Sequence, residues 1–189
     1  NCESVETLVP GGFEERRGHA FSGWSFQDDP GSGTFADDAV RHGGQSSLRI
    51  ENPPGAQGNR RVSKLVKVRP WGQYHASAWI RTQGFESAGS TRMFAMSPAG
   101  RVLSHSNLGV RRDQEWTEHH IVFNSLDNSE VRFYLGVWDC GGGRLWLDEV
   151  RLVEEPLVNM VRRPGCPLLV QDPDGQTTYV EGRDFAELR

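Results

Sequence analysis

The chain has 189 residues and a net charge of −4, from 21 Lys+Arg against 25 Asp+Glu, and 22 glycines and 10 prolines interrupt its 36% hydrophobic content. That length can bury a core, but the interruptions exclude a helical bundle and the acid excess argues against a nucleic-acid partner. No apolar run approaches the roughly 20 residues of a membrane-spanning helix, so no membrane partner is expected.

Period-two alternation rich in Tyr, Trp and Val appears at 47–52, 61–68, 73–82, 91–96, 117–124, 130–138 and 144–153, and these segments are predicted strands. Turn-forming stretches separate them, among them Asn52-Pro53-Pro54-Gly55, Arg69-Pro70-Trp71-Gly72 and Ser97-Pro98-Ala99-Gly100. Antiparallel pairing through loops follows. The strands are too numerous for one open sheet, so the expected fold is all-β: a two-sheet antiparallel sandwich of jelly-roll type over residues 1–153. Glu154-Glu155-Pro156 breaks the pattern, and 154–189 reads as a linker or hairpin leading to a further domain, with Asp172-Pro173-Asp174-Gly175 as a tight turn. The expectation is a monomeric fragment of a longer protein whose secretory leader has been removed. Cys2, Cys140 and Cys166 allow at most one internal disulfide, and their spacing makes no zinc site.

Motifs for catalysis are missing. Neither GxGxxG, GxxxxGK[ST] nor GxSxG occurs, and Gly141-Gly142-Gly143 opens no predicted helix. His119 and His120 are neighbours on a strand, so they point to opposite faces and cannot chelate one metal together. A glycosidase carboxylate pair needs only two acids about 5 to 10 Å apart in space, which a sequence does not display. Two acids stand apart from the turn-bound majority: Glu14 follows Gly11-Gly12, and Asp148 interrupts the apolar run 145–150. Burying Asp148 requires hydrogen bonds, an ion pair or a metal. Calcium, which accepts carboxylates and carbonyls at irregular spacing, and a structural role stand as equal alternatives.

Aromatics carry the strongest signal, with six tryptophans and three tyrosines. On 73–82, Tyr74, Ala76, Ala78 and Ile80 share one face, leaving His75, Ser77, Trp79 and Arg81 on the other. On 130–138, Val131, Phe133, Leu135 and Val137 oppose Arg132, Tyr134, Gly136 and Trp138. The second faces combine flat rings with polar donors, as a sugar-binding surface requires. Trp79, Tyr134 and Trp138 are therefore the expected stacking residues, with His75, Arg81, His120 and Asn124 as hydrogen-bonding candidates if the strands are neighbours. Trp24, Trp71 and Trp116 are the next aromatic candidates.

In order, Val9-Pro10-Gly11-Gly12-Phe13-Glu14, Trp24, Gly43-Gly44-Gln45-Ser46-Ser47-Leu48-Arg49-Ile50, Val66-Lys67-Val68-Arg69-Pro70, Tyr74-His75-Ala76-Ser77-Ala78-Trp79-Ile80-Arg81, Trp116, Phe123 and Leu145-Trp146-Leu147-Asp148-Glu149-Val150-Arg151-Leu152 resemble the landmarks of carbohydrate-binding modules of families four, nine and twenty-two. The likeness spans about residues 8–153. It implies a secreted or periplasmic β-jelly-roll module covalently linked to a catalytic domain, binding polysaccharide or oligosaccharide without catalysis. It also implies a structural calcium, with Glu14 and Asp148 supplying carboxylates and Gly12 and Gln45 backbone carbonyls. The last strand departs from the common paired aspartates, having Asp148-Glu149. A purely structural sandwich docking on a catalytic neighbour, or a small sandwich hydrolase or lyase, are the alternatives.

Overall fold

The computed structural model describes residues 7–9, 11–52, 58–104, 107–155 and 169–186. Two compact units divide the chain, one running Glu6–Glu154 and the other comprising Glu155–Arg189 with Asn1–Val5. The larger unit holds β1 (Thr7–Val9), β2 (Arg16–Arg17), β3 (Ala20–Phe21), β4 (Ser25–Phe26), β5 (Thr34–Asp37), β6 (Ser47–Glu51), β7 (Arg60–Lys67), β8 (Gln73–Gln83), β9 (Thr91–Met96), β10 (Gln114–Asn124), β11 (Glu130–Val137) and β12 (Arg144–Glu154). The smaller unit holds β13 (Val170–Gln171) and β14 (Thr178–Tyr179), an antiparallel pair whose turn is closed by Asp172 Oδ1 accepting the amides of Gln176 (2.7 Å) and Thr177 (3.1 Å).

The larger unit is an antiparallel β-sandwich. One sheet runs β10-β8-β12-β6-β5, with β1 added on β12, and the other runs β4-β7-β11-β9. From β6 to β12 the chain changes sheet at every step, so strands consecutive in sequence are not paired with each other. The seven predicted strands all form, with ends shifted by three residues at most. The short strands β1 to β5 were not legible, because two to four residues are too few to display a period.

The core lies between the sheets. Leu48, Ile50, Ala76, Ile80, Phe123, Leu145 and Leu147 enter from one side and Val62, Met93, Phe133, Leu135 and Val137 from the other, all essentially inaccessible to water. Burial of this apolar surface stabilises the sandwich at about 25 cal/mol per Å². Tyr74 is buried with its hydroxyl accepting the Arg69 amide at 2.7 Å, so its polar end is satisfied inside the core. Cys140 carries a free buried thiol, pushed up to about 11 by burial, whereas Cys2 and Cys166 lie outside the described residues.

A bulge between Asp148 and Arg151 divides β12, with Glu149 at φ 44°. Before it, β12 pairs with β6; after it, with β1. Alternation sets Asp148 on the outer face opposite Trp79, and the extra residue after it lets Val150 face the core as Leu147 does.

Candidate functional site

The alternation places Tyr134 and Trp138 at the outer surface, as expected, but topology separates them from the other candidates. β11 and β8 belong to different sheets. Trp79, His75, Arg81, His120 and Asn124 lie on the outer face of the β8–β10 sheet, on the far side of the core from Tyr134 and Trp138, so the seven do not form one cleft. The sequence expectation depended on β8 and β11 being neighbours. β8 instead pairs with β10 and β12.

Trp79 is, moreover, covered. The 38–46 loop folds over its sheet, and His42 stacks on the indole with centroids 3.8 Å apart and planes inclined by 13°, while Trp116 meets His42 edge-on at 5.7 Å. Asp148 fixes this loop: its Oδ2 accepts the amides of His42 (2.7 Å) and Gly43 (3.1 Å), and its Oδ1 accepts the Glu149 amide (2.8 Å). Burial pushes the Asp148 carboxyl above the usual range, against the pull of those three amides. Glu149 Oε2 holds His42 Nδ1 at 2.6 Å. Beside Trp79, Trp146 is buried and donates from Nε1 to Asp37 Oδ2 at 2.9 Å. Farther out, His75 Nε2 and His120 Nδ1 lie 3.1 Å apart, and Asn124 Nδ2 donates to the Trp71 carbonyl and to Gln73 Oε1, each at 3.3 Å.

The outer face of the other sheet is open and aromatic. Registers across β7, β11 and β9 place Arg61, Gly136 and Arg92 in one row, Ser63, Tyr134 and Phe94 in the next, and Leu65, Arg132 and Met96 in a third. Phe94 stacks on Tyr134 (centroids 5.0 Å apart, 20° between planes) and packs at 5.3 Å against Trp138, which follows β11. The Arg61 guanidinium lies 4.6 Å from the Trp138 centroid, anchored by Nε and Nη2 donating to Gln27 Oε1 (3.2 and 3.0 Å). Gly136 adopts φ 143°, and a Cβ there would strike the backbone of Arg60 and Arg61. Only glycine lets β7 approach β11 here, and it leaves a gap between the two arginines. A cavity of about 640 Å³ opens beside the aromatics, lined by Arg92, Phe94, Val102, Ser104, Asn107 and Trp138. Of these, Phe94 and Arg61 escaped the sequence reading. Phe94 was available to it, since 91–96 alternates and Met93 and Ala95 face the core, whereas Arg61 needed the pairing of β7 with β11.

The four expected metal residues are divided as well. Glu14 Oε2 accepts the Gln45 amide at 2.7 Å. Gly12, Glu14, Gly43, Gly44 and Glu149 line a cavity of about 430 Å³ that Asp148 does not reach. Gly44, at φ 55°, lies so close under the Glu14 carboxylate that a Cβ would collide with it. Two carboxylates and glycine-rich backbone suit a hard cation. Among the described residues, no group of three or more His, Cys, Asp or Glu side chains is arranged to hold a metal.

No family model matches the chain, and no curated protein sequence matches it. Solved structures do. The CBM22-1 xylan-binding domain of Xyn10C from Paenibacillus barcinonensis superposes with a TM-score of 0.59 at 16% identity, over 82% of this chain and 99% of that one. A family 16 carbohydrate-binding module gives 0.51 at 21% identity, over 70% and 92%. The K3 cleaved adhesin domain of Lys-gingipain from Porphyromonas gingivalis gives 0.51 at 12%, over 80% and 100%. At such identities the likeness concerns the backbone, and the site must be argued from its own residues. This chain has the β-jelly-roll fold of the carbohydrate-binding modules.

Proposed function

We propose that the chain is a non-catalytic carbohydrate-binding module that holds a glycan against the outer face of β7, β11 and β9. The observation that carries this reading is the half-exposed cluster of Phe94, Tyr134 and Trp138 beside a cavity with polar walls. Aromatic rings accept the C–H faces of sugars, while Arg92, Ser104 and Asn107 offer groups for hydroxyls. The fold and the absence of any catalytic motif in the sequence support a binding role, serving a covalently attached carbohydrate-active enzyme in a secreted or periplasmic protein. Affinity electrophoresis on a polysaccharide panel, run beside an assay for released sugars, tests it. Retardation without product is expected. Sustained product release would identify an enzyme, and neither retardation nor product would identify a structural domain.

Calcium belongs to the same proposal. Glu14 and Glu149 would hold it together with backbone oxygens of the glycine loops, and it would tie the N-terminal segment to the 38–46 loop. Asp148 would act beside that site, by fixing the loop.

A further inference from the structure

We propose that the glycan bound on this face is acidic, and that Arg92 and Arg132 grip its carboxylate or sulfate groups. The inference rests on the carbohydrate-binding reading above and adds the ligand's charge. Although the whole chain is net negative, the outward positions of β7, β9 and β11 carry Arg61, Lys67, Arg92 and Arg132 against a single acid, Glu130, at the start of β11.

Pairing sharpens the contrast. On the outer face of the opposite sheet, Arg49 lies 3.2 Å from Asp37, Arg81 lies 3.4 Å from Glu115, and Arg144 lies 3.0 Å from Glu51. Among the described residues, Arg61, Arg92 and Arg132 have no such carboxylate. Arg92 is held ready: its Nη1 donates to the carbonyls of Gly89 (2.5 Å) and Thr91 (2.9 Å). Those bonds leave Nε and Nη2, the edge that binds a carboxylate or sulfate through two parallel hydrogen bonds. Because the backbone positions the guanidinium, little side-chain entropy remains to be lost on binding.

The cavity supplies the rest of a sugar site. Arg92 lines it together with Phe94 and Trp138, and so does Ser104, which is 92% buried and whose Oγ has no hydrogen-bond partner among the described residues. A buried hydroxyl without a partner is costly. Arg132 stands four residues from Gly136 along β11, about 13 to 14 Å away at about 3.4 Å per residue, and its side chain makes no ion pair or hydrogen bond among the described residues. A chain bearing acidic groups on successive sugars can therefore engage the Arg61–Arg92 row and Arg132 together, with Tyr134 and Phe94 between them.

Binding of the full chain to polygalacturonate, dextran sulfate, neutral β-1,4-galactan and neutral xylan tests the inference. The acidic chains are expected to bind more tightly and to be released as salt rises from about 20 to about 500 mM, since exposed charges are screened. Tighter binding of polygalacturonate assigns a carboxylate, and tighter binding of dextran sulfate a sulfate ester. Arg92→Gln and Arg132→Gln should each weaken acidic binding about tenfold, the scale of a charge-assisted hydrogen bond, and Arg132→Gln should leave neutral binding unchanged. Arg132, whose side chain makes no hydrogen bond or ion pair among the described residues, keeps the test valid if Arg92→Gln loosens the turn before β9. Preference for the neutral chains would overturn the acidic assignment and leave the module reading standing. Acidic binding that survives both arginine changes and Trp138→Ala would be ion exchange at another surface, overturning it too. No retention of any glycan would overturn both.

Discussion

Trp79 and Trp138 sit at comparable half-burial but in opposite settings. The Trp79 indole is capped by the His42 ring, itself pinned by Glu149 and by the Asp148–amide bonds, so a ligand would have to displace the loop to reach it. Trp138 is flanked by Phe94 and Arg61 and borders an open cavity. Trp138→Ala and Phe94→Ala are expected to abolish measurable glycan retention. Trp79→Ala should leave retention intact while costing about 1 to 3 kcal/mol of stability through the lost stacking and burial. Affinity electrophoresis with urea unfolding of the three variants decides this, and a Trp79→Ala protein that folds but no longer binds would move the site to the other sheet.

At the scale of elements, the β12 bulge, the 38–46 loop and the edge strand β10 set what each sheet can present. Asp148 supplies the acceptors that replace ladder bonds lost at the bulge, and Asn in its place keeps one oxygen while turning the other into a donor aimed at an amide. Asp148→Asn is therefore expected to destabilise the sandwich by about 1 to 3 kcal/mol, with or without calcium. On β10, His119 is half-buried, with Nδ1 at 2.9 Å from the Leu108 carbonyl and Nε2 at 3.0 Å from Gln114 Nε2. Burial pushes its imidazole below the ordinary 6.5, assisted by the charges of His120 and Arg111 and opposed by the Leu108 carbonyl. A depressed folded-state value means that the unfolded chain takes up the proton first. The stability contributed by neutral His119 is thus present above about pH 6.5 and lost as pH falls below it. Melting temperatures at pH 7.5 and 5.5 should show a smaller acid-induced drop for His119→Phe than for the unchanged protein; an equal drop would place the effect elsewhere.

For the whole molecule, the proposed calcium is read as a thermodynamic linkage. An ion that binds only the folded sandwich raises its melting temperature by mass action, by about 2.7 kcal/mol at a hundredfold excess over Kd. Calcium is expected to shift the melting curve of the unchanged chain upward and chelator to reverse it. Glu14→Gln should remove the shift, whereas Asp148→Asn should lower both curves and keep their separation. Identical curves with calcium and with chelator would dismiss the site. The same experiment separates calcium binding from a structural role, the two alternatives the sequence left open for these carboxylates.

The sequence by itself determined which residues face inward. Strict alternation in 73–82 and 130–138 specified that Tyr74, Ile80, Phe133 and Leu135 are buried and that Tyr134 and Trp138 are not, because the side-chain period of a strand is two wherever it sits. It also revealed the two-sheet fold, through the number of strands and their turns. Pairing is different: whether β8 lies beside β11 or beside β10 depends on contacts between residues far apart in the chain, to which local periodicity is blind. Tertiary structure alone therefore put Trp79 and Trp138 on opposite outer faces and joined Phe94 and Arg61 to Trp138. It alone laid His42 over Trp79, since a loop's path across a sheet is set by the bulge and the buried carboxylate that receive it.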